Sequence, residues 1–94
     1  MNAMGLIRLH EGEIRERFHV RRIGVFGSHA RGEARAGSDV DVLVEFEPGH
    51  LTFDNFAELK FHLEYLFRRE VDLVTEDALR PEMRDAILGE VSYA

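Results

Sequence analysis

The 94-residue sequence predicts an α/β (α+β) fold, a small mixed sheet of about three strands packed with about four helices. Three observations indicate it. Short runs rich in Val, Ile, Leu and Phe have strand character, and two of them alternate apolar with acidic residues at a period of two. Other segments repeat apolar residues at helical spacing. Helices and strands are interspersed along the chain, which favours a sheet covered by helices.

The first predicted element is an amphipathic helix over residues 5–18, with Ile7, Ile14 and Phe18 on its apolar face. A polar link is expected to follow it. Ile, Val and Phe are then concentrated over residues 23–26, which predicts the first strand.

A tight polar turn follows this strand. Gly27 lets the backbone turn sharply, and Ser28 is suited to cap a helix of two turns or fewer over residues 29–35. The beginning of a helix preceded by Gly-Ser offers unpaired backbone N–H groups, a hydroxyl and a positive dipole end. Together these groups can hold phosphate oxygens.

The second predicted strand opens with two carboxylates. Asp39 and Asp41 flank Val40 and, in an extended chain, point the same way with Cα atoms roughly 6.5 Å apart. Two carboxylates so close repel each other unless they are protonated or bridged by a cation. Such a pair suits one or two Mg²⁺ ions, and Mg²⁺ in turn suits a triphosphate. The combination indicates nucleotide chemistry by in-line displacement at phosphorus.

The second half of the chain contains a helix, a strand and a helix. The first helix is expected from Thr52, with Thr52 or Asp54 as its cap, to about Arg69. A third strand, Glu70–Val74, places Asp72 on the face opposite Val71 and Leu73. Pro81 near the beginning and Gly89 near the end bound a last helix. The long helix carries more apolar residues than one sheet face needs, in the stripes Phe53, Phe56, Leu63, Phe67 and Ala57, Phe61, Tyr65. The surplus indicates either a surface that meets another protein or the rim of a small core.

Composition excludes several function classes. The net charge of −6 without clustered basic residues argues against binding a long nucleic acid. The lack of cysteine excludes disulfides and thiol catalysis. No apolar run approaches the roughly 20 residues needed to cross a bilayer. We therefore expect one domain over residues 1–94, cytoplasmic and without membrane contact.

The stretch over residues 27–46, written GSxARGEAxxxSDxDxLVEF, resembles the minimal nucleotidyltransferase (MNT) proteins of the DNA polymerase β-like nucleotidyltransferase superfamily. The similarity extends over about residues 23–88, most of the chain. It implies the nucleotidyltransferase fold and a Mg²⁺-dependent transfer of a nucleoside monophosphate to a hydroxyl.

The resemblance also implies site residues. The nucleotide, ATP or another NTP, would be bound by Gly27, Ser28, Arg31 and Ser38. One or two Mg²⁺ ions would be held by the catalytic carboxylates, which are Asp39, Asp41 and Asp72. The third of these would share the metal ion and accept the proton of the attacking hydroxyl.

Resemblance to MNT antitoxins further implies a partner, a HEPN-domain toxin that is inactivated when AMP is transferred onto its tyrosine. Two alternatives stay open. One is a non-catalytic antitoxin that neutralises its toxin by binding, and the other is a subunit of a small-molecule nucleotidyltransferase of the aminoglycoside type. A homo- or hetero-oligomer is compatible with all three.

Overall fold

The computed structural model describes residues 2–94 and contains a four-stranded sheet with the strand order β3-β2-β1-β4. β1 is antiparallel to both β2 and β4, whereas β2 and β3 are parallel. The predicted mixed α/β architecture is confirmed. The elements are α1 (Ala3–Leu9), α2 (Glu11–Phe18), β1 (Val20–Phe26), α3 (Ser28–Arg31), β2 (Val40–Phe46), α4 (Phe53–Phe67), β3 (Val71–Val74), a 3-10 turn (Glu76–Ala78), α5 (Pro81–Glu90) and β4 (Ser92–Tyr93).

The hydrophobic core lies between one face of the sheet and the helices α1, α2 and α4. Alternate residues of β2 point into it, because successive side chains of a strand face opposite sides. β1 contains a bulge between Val20 and Arg22, so that both Val20 and Ile23 are buried. The members with at most 1% exposure are Ile7, Ile14, Phe18, Ile23, Val25, Val40, Val42, Leu59 and Leu63.

The single amphipathic helix predicted over residues 5–18 is in fact two helices. His10 leaves helical geometry, with φ −107° and ψ 11°, and its amide bonds back to the carbonyls of Leu6 and Ile7. The predicted apolar face is nevertheless buried as expected. Periodicity missed the break because Ile7 and Ile14 are one heptad apart, and both still face the sheet across it.

Two further boundaries differ from the prediction. The expected polar link is wrong, because β1 already begins at Val20, which pairs with Phe46. The end of the short helix expected over residues 29–35 is also wrong: α3 has only four residues and ends where Gly32 adopts φ 73°. Ser28 is its first residue rather than its cap, and Gly27 occupies the cap position without a side-chain hydrogen bond.

The helix α4 has one buried stripe, formed by Leu59, Leu63 and Phe67. Its N-cap is Thr52, whose hydroxyl accepts a hydrogen bond from the amide of Asn55, as one of the predicted caps. Phe56 is partly buried against the core, whereas Phe53, Phe61 and Tyr65 are at the surface with 85%, 64% and 77% exposure. These three exposed aromatic side chains therefore contribute nothing to the core.

The last two elements bring the end of the chain to the sheet. α5 follows the prediction, with a proline in its first turn. The two-residue strand β4, which was not predicted, pairs with Gly24 and Val25 of β1. Gly24 is needed there, because a Cβ atom at this position would lie 2.6 Å from the carbonyl oxygen of Ser92. In the part of the chain from residue 2 onward, no helix has both the length and the apolar character to span a membrane.

Candidate active site

The register of two parallel strands brings the predicted carboxylates together. Asp41 of β2 is the direct partner of Asp72 of β3, and Asp39 lies just before β2. Because Val40, Val42, Val71 and Leu73 face the core, the two strand carboxylates share the opposite face. Asp39 and Asp72 are exposed and Asp41 is half-buried.

The Gly-Ser turn contacts this carboxylate cluster directly. β1 ends with Phe26 opposite Asp41, so Gly27 is the next residue beyond the pair. Gly27 has φ 73° and ψ −153°, and a Cβ atom there would lie only 2.1 Å from Asp41 Oδ2. That backbone conformation is essentially restricted to glycine. Both the conformation and the close approach therefore require this residue.

The pKa of Asp41 is raised above its ordinary value. Burial is the largest cause, followed by the negative charges of Asp72 and Asp39, while His29 and Arg31 oppose the shift. Ionised, these carboxylates repel one another within a partly desolvated site. A cation placed among them would remove that repulsion.

The donor set fits Mg²⁺ bound together with a substrate. No group of three His, Cys, Asp or Glu side chains between residues 2 and 94 is arranged to hold a metal ion unaided. Mg²⁺ commonly takes only one or two carboxylates and completes its shell with water and substrate phosphates. Asp41 with Asp39 or Asp72 supplies that number of hard oxygen ligands.

Arg31 and the amide of Gly27 converge on one carboxylate that sequence reasoning missed. The Gly27 amide donates to Glu90 Oε1 over 2.8 Å, and Arg31 Nη1 donates to Oε1 and Oε2 over 3.2 and 3.1 Å. Arg31 Nε also donates to Glu33 over 2.6 Å. Glu90 is the last residue of α5, and no motif marked it. Only the pairing of β4 with β1 brings it to the turn.

Ser38 lies in the loop immediately before Asp39. Its hydroxyl accepts a hydrogen bond from the Arg35 amide over 2.9 Å, and its carbonyl oxygen is 3.2 Å from His29 Nε2. The predicted phosphate-binding turn is also less open than expected, because the amides of Ala30 and Arg31 both bond to the carbonyl of Gly27.

An open cleft of about 770 Å³ contains all three predicted carboxylates. Its other side was not predicted and carries charges of both signs: Lys60, Arg68 and Arg69 line it together with Glu64 and Glu70, and Lys60 Nζ donates to Glu64 over 3.1 Å. Lys60 lies within α4, and Arg68 and Arg69 lie just after it. The signal was present in the sequence, since a helix that joins two parallel strands ends beside the beginning of the second strand. The Gly27–Arg31 turn lies outside the lining of this cleft and meets it only through Asp41.

Comparisons with known proteins identify the family to which this fold belongs. Residues 7–94 match the family model of the nucleotidyltransferase domain. The protein adenylyltransferase MntA of Thermococcus cleftensis is 48% identical over 90 residues, which cover 94% of this chain and 88% of the relative. A solved structure described as a candidate minimal nucleotidyltransferase is 41% identical with a TM-score of 0.79, over 98% of this chain and 95% of that one.

A more distant structure shares the fold. It is described as a tri-AMPylated Shewanella oneidensis HEPN toxin in complex with an MNT antitoxin, and it matches with a TM-score of 0.64 at 17% identity. The match covers 99% of this chain and 71% of the other.

Proposed function

The chain belongs to the nucleotidyltransferase domain family, and from this premise we propose that it is a protein adenylyltransferase acting as a cytoplasmic antitoxin. It transfers AMP from ATP to a hydroxyl, a tyrosine of a HEPN-domain toxin. One observation carries the proposal: Asp41 and Asp72 are register partners on neighbouring parallel strands. Asp41 also lies against Gly27, and Asp39 precedes it by two residues. A purely binding protein has no physical need to keep mutually repelling carboxylates side by side on neighbouring strands.

The residues divide into two groups by what they hold. The Gly27 amide, the Ser28 hydroxyl and the Arg31 guanidinium are donors suited to phosphate oxygens, with Ser38 at the edge of the nucleotide site. Asp39 and Asp41 would hold one or two Mg²⁺ ions, shared with Asp72. Bound Mg²⁺ neutralises the charge of the triphosphate and favours displacement at phosphorus.

The transfer itself is an in-line displacement. The acceptor oxygen forms a bond to the α-phosphorus, the bond from that phosphorus to the bridging oxygen breaks, and pyrophosphate leaves with the electron pair. Asp72 accepts the hydroxyl proton. It is the exposed member of the strand pair, so an incoming hydroxyl can reach it without moving the backbone.

Two findings support the acceptor class. The relative that is 48% identical is named a protein adenylyltransferase, and a distant structural relative is a complex between an AMPylated HEPN toxin and an MNT antitoxin. The cleft is open to solvent, so a macromolecule can present a side chain to the carboxylates. The exposed aromatics Phe61 and Tyr65 lie on α4, the helix that also contributes Lys60 to the cleft, and supply apolar area for such a partner.

The test is label transfer from α-labelled ATP with Mg²⁺ to the co-expressed HEPN partner. We expect wild-type protein and the control Asp85→Asn, an exposed aspartate of α5, to label the partner. Asp39→Asn/Asp41→Asn should lose at least about 100-fold in rate, since the charges that stabilise the transition state are removed.

Mapping the label by mass spectrometry identifies the acceptor side chain. A stable complex with both forms and no label from any of the four NTPs would overturn the enzyme assignment in favour of an antitoxin that acts by binding. Label on a small molecule only would point to the aminoglycoside type of transferase.

A further inference from the structure

Glu90 occupies the donors that the proposed function assigns to the triphosphate. Its carboxylate accepts hydrogen bonds from the Gly27 amide and from Arg31, at 2.8 to 3.2 Å. Resting on that function, we propose that Glu90 is an internal competitor of the nucleotide. Its side chain must leave the Gly27–Arg31 turn before the phosphates can be seated, and it thereby sets the affinity for ATP.

The chemistry of the contact matches that of a phosphate. A carboxylate and a phosphate both present anionic oxygens at similar spacing to an arginine fork and a backbone N–H. The Gly27 hydrogen bond is the largest cause that holds the pKa of Glu90 below its ordinary value, and Arg31 adds to it. Glu90 is therefore ionised at neutral pH. While Glu90 stays in place, a bound triphosphate would be repelled by this negative charge. It would also find the Gly27 amide and Arg31 already occupied.

The backbone of Glu90 is fixed, so release requires side-chain rotation. β4 begins two residues later and pairs with Gly24 and Val25 of β1, and the Ala94 amide donates to the carbonyl of Ile23 over 2.9 Å. The Glu90 side chain is 29% exposed, which gives it a way out to solvent. The structure thus combines an anchored helix end with a partly exposed side chain that can turn toward solvent once its hydrogen bonds to Gly27 and Arg31 are broken.

The alternative is that Glu90 only holds Arg31 in position. The two roles predict opposite effects. Removing a competitor lowers the KM for ATP and leaves kcat nearly unchanged, whereas removing a support for Arg31 raises the KM. Arg31 also donates to Glu33, so the arginine keeps one carboxylate partner in a Glu90 variant. The Gly27 amide donates to Glu90, and a Glu90 variant therefore frees it.

The experiment measures binding of inorganic triphosphate, ATP and adenosine by calorimetry, with Mg²⁺, to the full chain. Glu90→Gln removes the charge and Glu90→Ala removes the occupant, while Glu82→Gln on the exposed first turn of the same helix is the control. Both Glu90 variants should bind triphosphate and ATP about five- to tenfold more tightly than wild type. Adenosine has no phosphate, so its affinity should be the same for wild type and both Glu90 variants. Thermal unfolding checks that each variant is folded.

The outcomes separate this inference from the proposed function. Unchanged or weaker triphosphate binding by both Glu90 variants, with wild-type transfer intact, would overturn the competitor role alone. Tighter binding by the variants without AMP transfer by any form would overturn the transferase and keep the competitor. Failure of every form to bind any triphosphate would overturn both.

Discussion

The two faces of the sheet are formed by the same strands but differ in the side chains they carry and in how those side chains affect stability. On the helix-covered face, Val40, Val42 and Val44 of β2 are at most 2% exposed and pack among other apolar side chains. On the opposite face, Asp41 is set against Asp72 and beneath Gly27, where burial and like charge both oppose its ionisation. The first face is explained by stability alone. The second is not, and a local conflict of this kind is typical of a functional site.

The largest stability effect should follow from a change on the helix-covered face. Leu63→Ala removes a side chain with 0% exposure from α4 and should lower the free energy of unfolding by about 3 kcal/mol, through lost burial and the cavity left behind. Urea denaturation measures it. Phe61→Ala, at 64% exposure on the same helix, is the matched control and should change the free energy by under about 0.5 kcal/mol. Equal losses for the two variants would show that the surplus aromatic stripe is part of the core.

The contrast between the faces also explains what the sequence could predict. The covered face follows from periodicity, which correctly identified the buried faces of the first helices and the alternation in β2 and β3. The beginnings of α4 at Thr52 and of α5 at Pro81 could be predicted from local sequence. The capping hydroxyl and the proline act on backbone groups within one helical turn, so no distant contact is needed. Boundaries failed where long-range pairing decides, as at Val20, which joins β1 only because Phe46 lies beside it.

The candidate site was predictable only where it is encoded by spacing. Asp39 and Asp41 were predicted as site residues from the alternating pattern of the second strand. Asp72 was predicted from its position in the third strand. Glu90 could not be assigned to the site from spacing, because its approach depends on how β4 pairs with β1. The arginines after α4 could have been assigned only from the rule that a helix joining two parallel strands ends beside the second strand. The length of α3 was overestimated because helix propensity continues after the point where Gly32 ends the helix.

The second prediction compares two glycines with the same φ. Gly27→Ala should destabilise the fold by about 2 kcal/mol, because it combines a backbone conformation reserved for glycine with a Cβ atom 2.1 Å from Asp41 Oδ2. Gly32→Ala is the matched control, since Gly32 also has φ 73° but a Cβ atom there would meet nothing within 4 Å. Gly32→Ala should lower the free energy of unfolding by about 1 kcal/mol.

Thermal unfolding and nucleotide binding should separate this pair of variants. Only Gly27→Ala is expected to lose ATP binding, because only there does the new methyl group displace a carboxylate of the site. Matching losses of stability and binding in both variants would mean that the strained turn, and not its contact with the carboxylates, explains the glycine.

The smallest effect should be a gain of stability on the opposite face, from Asp41→Asn. The pKa of Asp41 is raised, chiefly by burial and then by Asp72 and Asp39, so the folded state binds this proton more tightly than the unfolded state does. The free energy of unfolding therefore falls as the pH rises from the ordinary carboxyl pKa through the raised one. The asparagine variant escapes that loss, and its Tm should exceed that of wild type by about 2–4 °C at pH 7.5.

The same variant tests the cause of that gain. The difference in Tm should shrink toward zero at about pH 3, below the ordinary aspartate pKa, where the wild-type carboxyl is mostly protonated in both states. Added Mg²⁺ should raise the Tm of wild type and not of Asp41→Asn, because the cation relieves a repulsion that the variant no longer has. Asp85→Asn, at an exposed position of α5, should respond to neither condition. A variant that is less stable than wild type at neutral pH would mean that the carboxylates support the fold without a cation, and the contrast between the two faces would then be lost.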